Sequence, residues 1–502
     1  MTNINYKTVI NNQAIDLNDI PVLDYPLFVE MNIGLINGNP VRHCVNFFGC
    51  QVFEKIKLIC CIADDDLHEI FVSSTLVEKG AELESFTARN HNFEKFEREI
   101  HENFGIIYTD HPWLKPVRYA NNREDKSQII ANYPFYSVDS EELHEVGVGP
   151  IHAGVIEPGH FRFICNGEQI LHLEIQMGYQ HRGIEQLFLQ KTKLLERTTL
   201  AESIAGDTVV GHTTAFVNLW EGLCGYTPDR SLEFARTIAL ELERIAIHTG
   251  DLAAICADIA YQLGNSVYGR LRTPIVNFMQ EWGGNRLSKG LIRAGKINYP
   301  FTREHAQRLL EIFEAFEPDF LEITQKLFNL PSALSRMEKT GVVSHDEVLE
   351  IGTVGMAARM SGLNRDIRLS HPHNLYKEIE HQPVIKRHGD VYSRVQIRKT
   401  EVSQSIGYIK ELLKNLPGFK LPEKFDLKPL HEQFIISLVE GWRGEICHCA
   451  ITDSMGSLLI YKIKDPSYHN WMALAQAVRN NDISDFPICN KSFNLSYCGH
   501  DL

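Results

Sequence analysis

The sequence predicts an α+β protein, with a small N-terminal α+β domain followed by a mainly helical domain that is β-rich at its start and in its C-terminal segments. Short strand-like apolar runs lie before residue 118, and long stretches between residues 183 and 328 repeat apolar residues at helical spacing. A polar, acidic stretch separates the two regions. The 502 residues allow two to four domains. We therefore predict a small docking domain over 1–118, a linker over 119–147 and a large domain over 148–502.

The first region combines strands with one amphipathic helix. Apolar runs predict strands at 45–48, 56–62 and 70–72, and the spacing of Phe93, Phe96, Ile100 and Phe104 predicts a helix. In the second region we predict strands at 161–164 and 170–175, joined by a turn at Asn166. Helical patterns cover 183–200, 203–224, 229–264, 303–328 and 401–415. The C-terminal third mixes strand and helix.

Composition excludes several classes of function. Lys+Arg 50 against Asp+Glu 64 gives a net charge of −14, which argues against a nucleic-acid partner. The polar N-terminus predicts no secretory signal, and the apolar stretch 245–263 is interrupted by His248, Asp251 and Asp258. Any membrane contact should therefore go through other subunits. Eleven cysteines without a framework spacing predict reduced thiols in a cytoplasmic protein.

Longer signatures carry the functional information, since the chain has no Walker loop, Rossmann glycine turn, HExxH or nucleophile-elbow serine. The signatures are 148–162 (VGPIHAGVIEPGHFR), 178–185 (GYQHRGIE), 202–212 (ESIAGDTVVGH), 241–248 (ELERIAIH), 355–362 (GMAARMSG), 365–368 (RDIR), 371–376 (HPHNLY), 440–445 (EGWRGE) and 486–502 (FPICNKSFNLSYCGHDL).

In this order the signatures resemble the large subunit of group 4 membrane-bound NiFe hydrogenases and, equally, the related quinone-site subunit of respiratory complex I. Residues 96–106 (FEREIHENFGI), with His111 and Pro112, resemble the small complex I subunit that packs beside it. The fused order is similar to that of the formate hydrogenlyase large subunit. The resemblance covers nearly the whole chain.

The resemblance implies a peripheral-arm subunit of a membrane-bound oxidoreductase that couples electron transfer to ion translocation. The implied partners are a small iron–sulfur subunit, a ferredoxin-like subunit and antiporter-like membrane subunits, on the inner face of the cell membrane. The chain itself has no cluster motif, so we expect an iron–sulfur cluster only in a partner. The alternative is a non-catalytic scaffold or coupling subunit of such a complex. A soluble enzyme that works alone fits least.

The family's metal-ligand positions are altered. NiFe hydrogenases bind the metals through four thiolates in two Cys-x-x-Cys pairs, and soft thiolates suit nickel. The matching positions here hold Ala205, Thr208, Ser496 and Gly499. We therefore predict no standard nickel–iron site, no metal or cofactor bound by standard ligands of this chain, and no hydrogen turnover.

The quinone-site positions are altered as well. Where the complex I family has the histidine and the tyrosine that reduce quinone, this chain has Pro158 and Gly206. His160, two residues beyond the first position, is a shifted candidate. The electron acceptor, quinone or another, stays open at this point.

Three residues within the matched motifs are candidate site residues: Glu157, Arg443 and Asp366. Glu157 matches the proton-transfer carboxylate of the hydrogenases, and a carboxyl in a dry pocket can relay protons; the alternative is a loop carboxylate that caps a backbone amide. Arg443 matches the arginine that faces the iron ligands, so it would bind an anion or pair with a carboxylate. Asp366, in a charged cluster with Arg365 and Arg368, serves either a proton route or a buried ion-pair network.

Cys447 and Cys449 flank His448, and Cys498 lies beside the late ligand positions. One interpretation is a rearranged metal site that these thiols form with Asp207, His212 or His500. The other is that the cysteines are buried free thiols, because in a strand Cys447 and Cys449 point to one face. We favour the second.

Overall fold

The computed structural model describes residues 5–418 and 425–502. It is 44% helix and 19% strand. This confirms the α+β class. The N-terminal elements are β1 (Lys7–Val9), β2 (Ile15–Asp16), β3 (Val22–Leu23), α1 (Tyr25–Asn37), β4 (Arg42–Val52), β5 (Lys55–Asp64), β6 (Glu69–Glu78), β7 (Glu82–Glu84), α2 (Glu94–Phe104) and β8 (Ile107–Thr109).

A five-stranded sheet organises this region, with strand order β1-β6-β5-β4 and with β3 pairing parallel to β6. Strand β5 is buried on both faces. Ile56, Leu58 and other alternate residues pack against α1 and α2 on one face, whereas Ile59 and Cys61 pack against a second sheet on the other face. Since helices cover one face and a sheet covers the other, the strand reads as a continuous apolar run rather than as an alternating one.

The large domain begins with a three-stranded antiparallel sheet of order β11-β10-β9 and continues with helices. Its elements to residue 414 are β9 (His144–Val148), β10 (His160–Asn166), β11 (Gln169–Gln176), α3 (Ile184–Gln190), α4 (Leu194–Ala201), α5 (Val209–Leu223), α6 (Arg230–Asp258), α7 (Gln262–Gly283), β12 (Ile292–Arg293), β13 (Lys296–Ile297), α8 (Arg303–Phe328), α9 (Pro331–Met337), α10 (His345–Ile351), α11 (Met356–Arg359), α12 (Ile367–Ser370) and α13 (Val391–Lys414).

The C-terminal part returns to mixed structure. Its elements are β14 (Gln433–Glu440), β15 (Glu445–Thr452), β16 (Leu458–Lys464), α14 (Ser467–Ala477), α15 (Phe486–Phe493) and α16 (Tyr497–Asp501). The strands form a sheet of order β16-β15-β14-β2, so a strand from the start of the chain completes the C-terminal sheet. This pairing ties the two ends of the chain together.

Several predicted elements differ in extent. The helix expected over 229–264 ends at Asp258 because Ala260 adopts a positive φ of 60°, and a new helix, α7, begins at Gln262. The helix expected from residue 203 begins only at Val209, which leaves residues 202–208 outside the helix. The end of the predicted linker is strand β9, paired with β10. Within residues 5–418 and 425–502 we find no helix with the length and hydropathy needed to cross a bilayer.

Candidate functional site

Six segments that are far apart in sequence meet around a cavity of about 430 Å³. The six segments are the loop before β10, the loop before α5, helix α6, helix α7 with the loop after it, the β14–β15 turn and the start of α16. The lining residues are Glu157, Gly206, Asp207, Ile247, Arg272, Arg286, Leu287, Arg443, Ser496 and Cys498. The structure thus places two of the three predicted site residues, Glu157 and Arg443, in one cavity.

Arg443 is held rigidly at this cavity. Its two terminal nitrogens each lie 2.6 Å from a carboxylate oxygen of Asp207, and its Nε lies 2.5 Å from the carbonyl oxygen of Asn494. Its guanidinium also stacks 4.0 Å from the Trp442 ring centroid. Burial opposes the charge of Arg443, but Asp207 outweighs burial and raises the pKa of Arg443 above its usual range. The result is a permanent, pre-oriented cation.

The turn that carries Arg443 requires glycine. Gly444 has a φ of 136°, and a Cβ there would lie 2.7 Å from the Cα of Gly355. Only glycine allows this close approach between the β14–β15 turn and the segment before α11.

Glu157 lies across the cavity and is half-buried. Its Oε2 accepts a hydrogen bond from the backbone N–H of Cys498 over 3.2 Å. Burial and the nearby Glu157 raise the pKa of the Cys498 thiol to about 11, so this thiol is protonated near neutral pH. The cavity therefore combines a carboxylate, a neutral thiol and a fixed guanidinium.

Asp366 does not line this cavity. It caps α12 and accepts hydrogen bonds from Arg359 (2.6 Å), Arg368 (2.7 Å) and His381 (2.9 Å), all fully or almost fully buried. Burial raises the pKa of Asp366, but the two arginines outweigh burial and hold it well below its usual range. Of the two interpretations of this cluster, the contacts favour a buried ion-pair network, which the structure places apart from Glu157 and Arg443.

This network lies close behind the cavity. Glu401 accepts from Arg359 over 2.5 Å and from His248 over 2.8 Å. The His248 ring packs edge-on against Trp442, and the indole N–H of Trp442 donates to the backbone oxygen of Asp207 over 2.8 Å. One aromatic side chain therefore separates the ion-pair network from the cavity wall.

Comparisons with known proteins show what this chain is similar to. A profile of the family described as "Respiratory-chain NADH dehydrogenase, 49 Kd subunit" matches residues 263–434. The chain is 26% identical over 419 residues to hydrogenase-4 component G of Escherichia coli K12, which covers 80% of this chain and 72% of that protein. It is also 26% identical over 454 residues to the C/D subunit of the NADH-quinone oxidoreductase of Phocaeicola vulgatus, covering 82% and 85%. By these matches the chain is similar to subunits of hydrogenases and of NADH-quinone oxidoreductases.

The fold of the family is also seen in a solved complex. A chain of the membrane-bound sulfane sulfur reductase, an archaeal respiratory membrane complex, superposes with a TM-score of 0.68 at 19% identity. The superposition covers 73% of this chain and 100% of the other. Proteins that this chain resembles in sequence are thus parts of a hydrogenase and of an NADH-quinone oxidoreductase, and its fold is shared with a chain of an archaeal respiratory membrane complex.

The residues at the family's four thiolate positions do not fit a standard nickel–iron site. Ala205 is fully buried and has no ligand atom, and the Thr208 hydroxyl accepts from Arg443 over 3.0 Å. The Ser496 hydroxyl caps α16 by accepting from the N–H of Gly499 over 2.9 Å. At Gly499 a Cβ would lie 2.7 Å from the Asp465 carboxyl carbon. The Thr208 and Ser496 hydroxyls are thus engaged by Arg443 and by the cap of α16, and the Asp465 carboxylate occupies the space beside Gly499.

The thiols outside these positions lie in a different place. Cys447 and Cys449 are 3.7 Å apart on one face of β15, where Asn46 contacts both, whereas His448 lies on the opposite face. Within the described ranges we find no group of three or more His, Cys, Asp or Glu residues arranged to hold a metal ion. The two cysteines are buried, as the strand pattern predicts.

The shifted quinone candidate lies outside the cavity lining. The Nδ1 of His160 is 3.0 Å from the carbonyl oxygen of Gly149, and its ring packs against Phe135. Gly206 does line the cavity but offers no side chain. The quinone-site arrangement of the family is therefore not rebuilt from His160.

Sequence reasoning missed three charged residues of the cavity as site residues. Asp207 lies inside a matched motif, between the two early thiolate positions, and that position was a usable signal. Arg272 and Arg286 lie outside every motif. With these residues the cavity lining carries three guanidinium groups against two carboxylates.

A separate cavity of about 360 Å³ lies between α2, β11, α10 and α14, and Lys95 lines it. The Nζ of Lys95 is 3.2 Å from the Nε2 of His500, and the Nδ1 of His500 is 2.8 Å from Asp501. Burial lowers the pKa of Lys95 to about 7, although Glu94 opposes the shift. At pH 8 the folded chain therefore holds a neutral amine.

We expect Lys95→Met to change how stability depends on pH. Between pH 7 and 10.5 the unfolded chain binds a proton at Lys95 that the folded chain does not, so wild-type stability rises with pH through this window. The rise should be ~2 kcal/mol after allowing for contact with cavity water. Denaturant unfolding at pH 7 and pH 9.5 measures this change, and the methionine variant should lose most of it. An equal rise in both proteins would contradict the lowered pKa.

Proposed function

We propose that this chain is the peripheral-arm subunit of a membrane-bound oxidoreductase complex that couples electron transfer to ion translocation. The convergence of Glu157, Asp207, Arg443 and Cys498 on one cavity carries the proposal, because it preserves a polar reaction chamber where the relatives' matched motifs meet. The chain's own nickel-ligand positions are altered, so the proposed redox end point differs from a standard nickel–iron site.

In this proposal the cavity receives electrons from a cluster held by a small iron–sulfur subunit. A ferredoxin-like subunit feeds that cluster, and antiporter-like membrane subunits move the ion on the inner face of the cell membrane. Three guanidinium groups against two carboxylates give the cavity lining an excess of positive charge, which favours an acceptor that is anionic or becomes anionic on reduction. Glu157 is placed to hold or deliver a proton at the opposite wall.

A second candidate function is a non-catalytic scaffold or coupling subunit of the same kind of complex. The observation that favours it is the Asp465 carboxylate against Gly499, since this contact closes one of the four ligand positions. In this alternative the fold serves assembly alone.

Purification of the intact complex through a tag at the N-terminus tests the proposal. We expect membrane subunits to co-purify, with iron present and nickel substoichiometric. We also expect reduced methyl viologen to be oxidised with a water-soluble quinone or polysulfide, but not with protons, as acceptor. Stoichiometric nickel with hydrogen turnover, or isolation without membrane subunits, would contradict the proposal.

Glu157→Gln separates the two candidate functions. Glutamine keeps an oxygen that can accept from Cys498 but cannot ionise, so assembly should be unchanged while turnover falls by about 100-fold if Glu157 handles the proton. Glu168→Gln, on the exposed β10–β11 turn, is the matched control. Unchanged turnover of the assembled Glu157→Gln complex would favour the scaffold.

A further inference from the structure

Behind the cavity runs a buried chain of four hydrogen-bonding side chains that no part of the proposed chemistry has used. The Asp465 Oδ2 lies 3.0 Å from the His212 Nε2, and the His212 Nδ1 lies 3.1 Å from the His448 Nε2. The His448 Nδ1 lies 2.8 Å from the Tyr461 hydroxyl oxygen. At most 2% of any of these residues is exposed. The chain crosses from the segment after β16, through α5 and β15, back to β16.

One arrangement of the ring hydrogens gives the chain a single direction. Burial raises the pKa of Asp465, but the hydrogen bond from His212, together with the charge of Arg443, outweighs burial and lowers it, so the carboxylate accepts and the His212 Nε2 donates. Burial holds the pKa of His448 well below its usual range, so His448 is neutral. In this arrangement the His212 Nδ1 accepts from the His448 Nε2–H, and the His448 Nδ1 accepts from the Tyr461 hydroxyl. Every hydrogen then points from Tyr461 toward Asp465.

Asp465 ends the chain at the wall of the candidate-site cavity. Its carboxylate lies against Gly499, where a Cβ would be 2.7 Å from the carboxyl carbon and 2.8 Å from the Ser496 hydroxyl oxygen. Ser496 lines the cavity together with Arg443, whose charge lowers the pKa of Asp465 further. Only the Ser496–Gly499 segment separates this carboxylate from the cavity.

Tyr461 ends the chain at a different cavity, of about 260 Å³, between β16, α2 and α3. Gln186 and Leu189 on its rim are exposed to solvent. Three carboxylates, those of Glu99, Glu102 and Glu185, also line it. Arg118 and Lys462 line it as well and pair with Glu99 and Glu185. This second cavity is therefore a charged pocket that opens to water at its rim, and we take that water as the source of protons.

We propose that Tyr461, His448, His212 and Asp465 form a proton relay from the second cavity to the candidate-site cavity. The inference rests on the proposed function, because it supplies protons to a reduction at that site. His212 contacts the Asp465 carboxylate and, through His448, links it to Tyr461, so the histidine pair lies between the two cavities. The four relay residues hold and pass protons, and they do not contact the electron acceptor.

The transfer conserves every proton. The His212 Nε2–H bond breaks as an O–H bond forms on Asp465, which does not itself line the cavity. The Asp465 O–H then gives its proton to cavity water that reaches it past the Ser496–Gly499 segment. The His212 Nδ1 takes the proton from the His448 Nε2, the His448 Nδ1 takes the phenol proton, and Tyr461 regains one from cavity water. Since burial raises the pKa of Tyr461 well above its usual range, the last two transfers must be concerted. Both histidines end in the other tautomer, and rotation of the rings resets them.

Tyr461→Phe in the intact complex tests the relay. Phenylalanine keeps the ring stacked on Phe188 at 4.1 Å between centroids and removes only the hydroxyl. We expect viologen-driven turnover to fall by about 10-fold or more, with a larger solvent isotope effect, while the set of co-purified subunits and the thermal midpoint stay as in wild type. Tyr468→Phe is the control, since Tyr468 is equally buried but donates to Glu99 and the Lys95 carbonyl oxygen. Wild-type turnover in Tyr461→Phe would overturn the relay.

A second measurement keeps the relay separate from the proposed function. Neutron diffraction of the deuterated full-length chain should show deuterium on the Nε2 of both His212 and His448 and on the Tyr461 hydroxyl. Deuterium on either Nδ1 would overturn the relay. If the wild-type complex turns over no acceptor, the proposed function fails, and the deuterium positions alone decide whether the directed chain exists.

Discussion

Replacement of Arg359 by methionine should destabilise the protein by about 3–5 kcal/mol, the cost of leaving a buried charge network uncompensated. Arg359 is fully buried and bridges Asp366 (2.6 Å), Glu401 (2.5 Å) and Glu440 (3.0 Å). Methionine fills similar space but leaves three carboxylates with fewer cations. The midpoint of thermal unfolding of the full-length chain measures the loss.

The destabilisation should depend on pH in a fixed direction. Burial alone would raise the pKa of Asp366. In the wild type Arg368 and Arg359 outweigh burial and hold this pKa well below its usual range. Its contribution is present above the unfolded-state pKa and disappears as the pH falls through the folded value. The variant lacks much of this contribution, so its deficit should be largest at neutral pH and shrink only below about pH 4, as the pH falls from the unfolded-state pKa toward the folded value. A deficit that grows on acidification would contradict the ion-pair account.

Arg270→Met is the matched control. Arg270 also pairs with a carboxylate, Asp319, but the two side chains are 62% and 42% exposed. Water screens such a pair, so its removal should cost less than about 1 kcal/mol. Equal effects of the two substitutions would show that burial of the charges is not what matters.

Much of the fold could be predicted from the sequence because its periodicities are strong. Strand β5 alternates between two covered faces, and the spacing from Phe93 to Phe104 marks α2 against the sheet. Helix α7 escaped prediction because Pro274 and glycines 264, 269 and 283 lie within it. Packing against α6 and α8 outweighs this poor propensity, which a local pattern does not reveal.

The site could be predicted only through the resemblance. Glu157, Asp207, Arg443 and Cys498 come from four distant segments, and no spacing rule brings such residues together. Motif matching named Glu157, Arg443 and Asp366 together. The structure brings the first two to one cavity, whereas Asp366 belongs to the ion-pair network behind the wall. The His212–His448 contact joins residues 236 positions apart, and nothing local to either residue predicts it.

The most informative substitution at the altered ligand positions is Gly499→Ala. Its Cβ would lie 2.7 Å from the Asp465 carboxyl carbon and 2.8 Å from the Ser496 hydroxyl oxygen, so the buried wall must shift. We expect a loss of about 1–3 kcal/mol in unfolding free energy, as for overpacking of a dense interior. Denaturant unfolding of the full-length chain measures it. Gly206→Ala, where no atom lies within 4 Å of the new Cβ, should be nearly neutral and is the control.

The double variant Gly499→Ala with Asp465→Ala shows whether the carboxylate is the obstacle. If it is, the alanine at 499 should cost less in the Asp465→Ala background, and the two substitutions should be coupled by about 0.5–3 kcal/mol. The coupling matters because a cysteine at 499 meets the same obstacle at its Cβ. Restoring four thiolates would then require the removal of Asp465 as well. Additive effects would mean that the Asp465 carboxylate is not the obstacle at position 499.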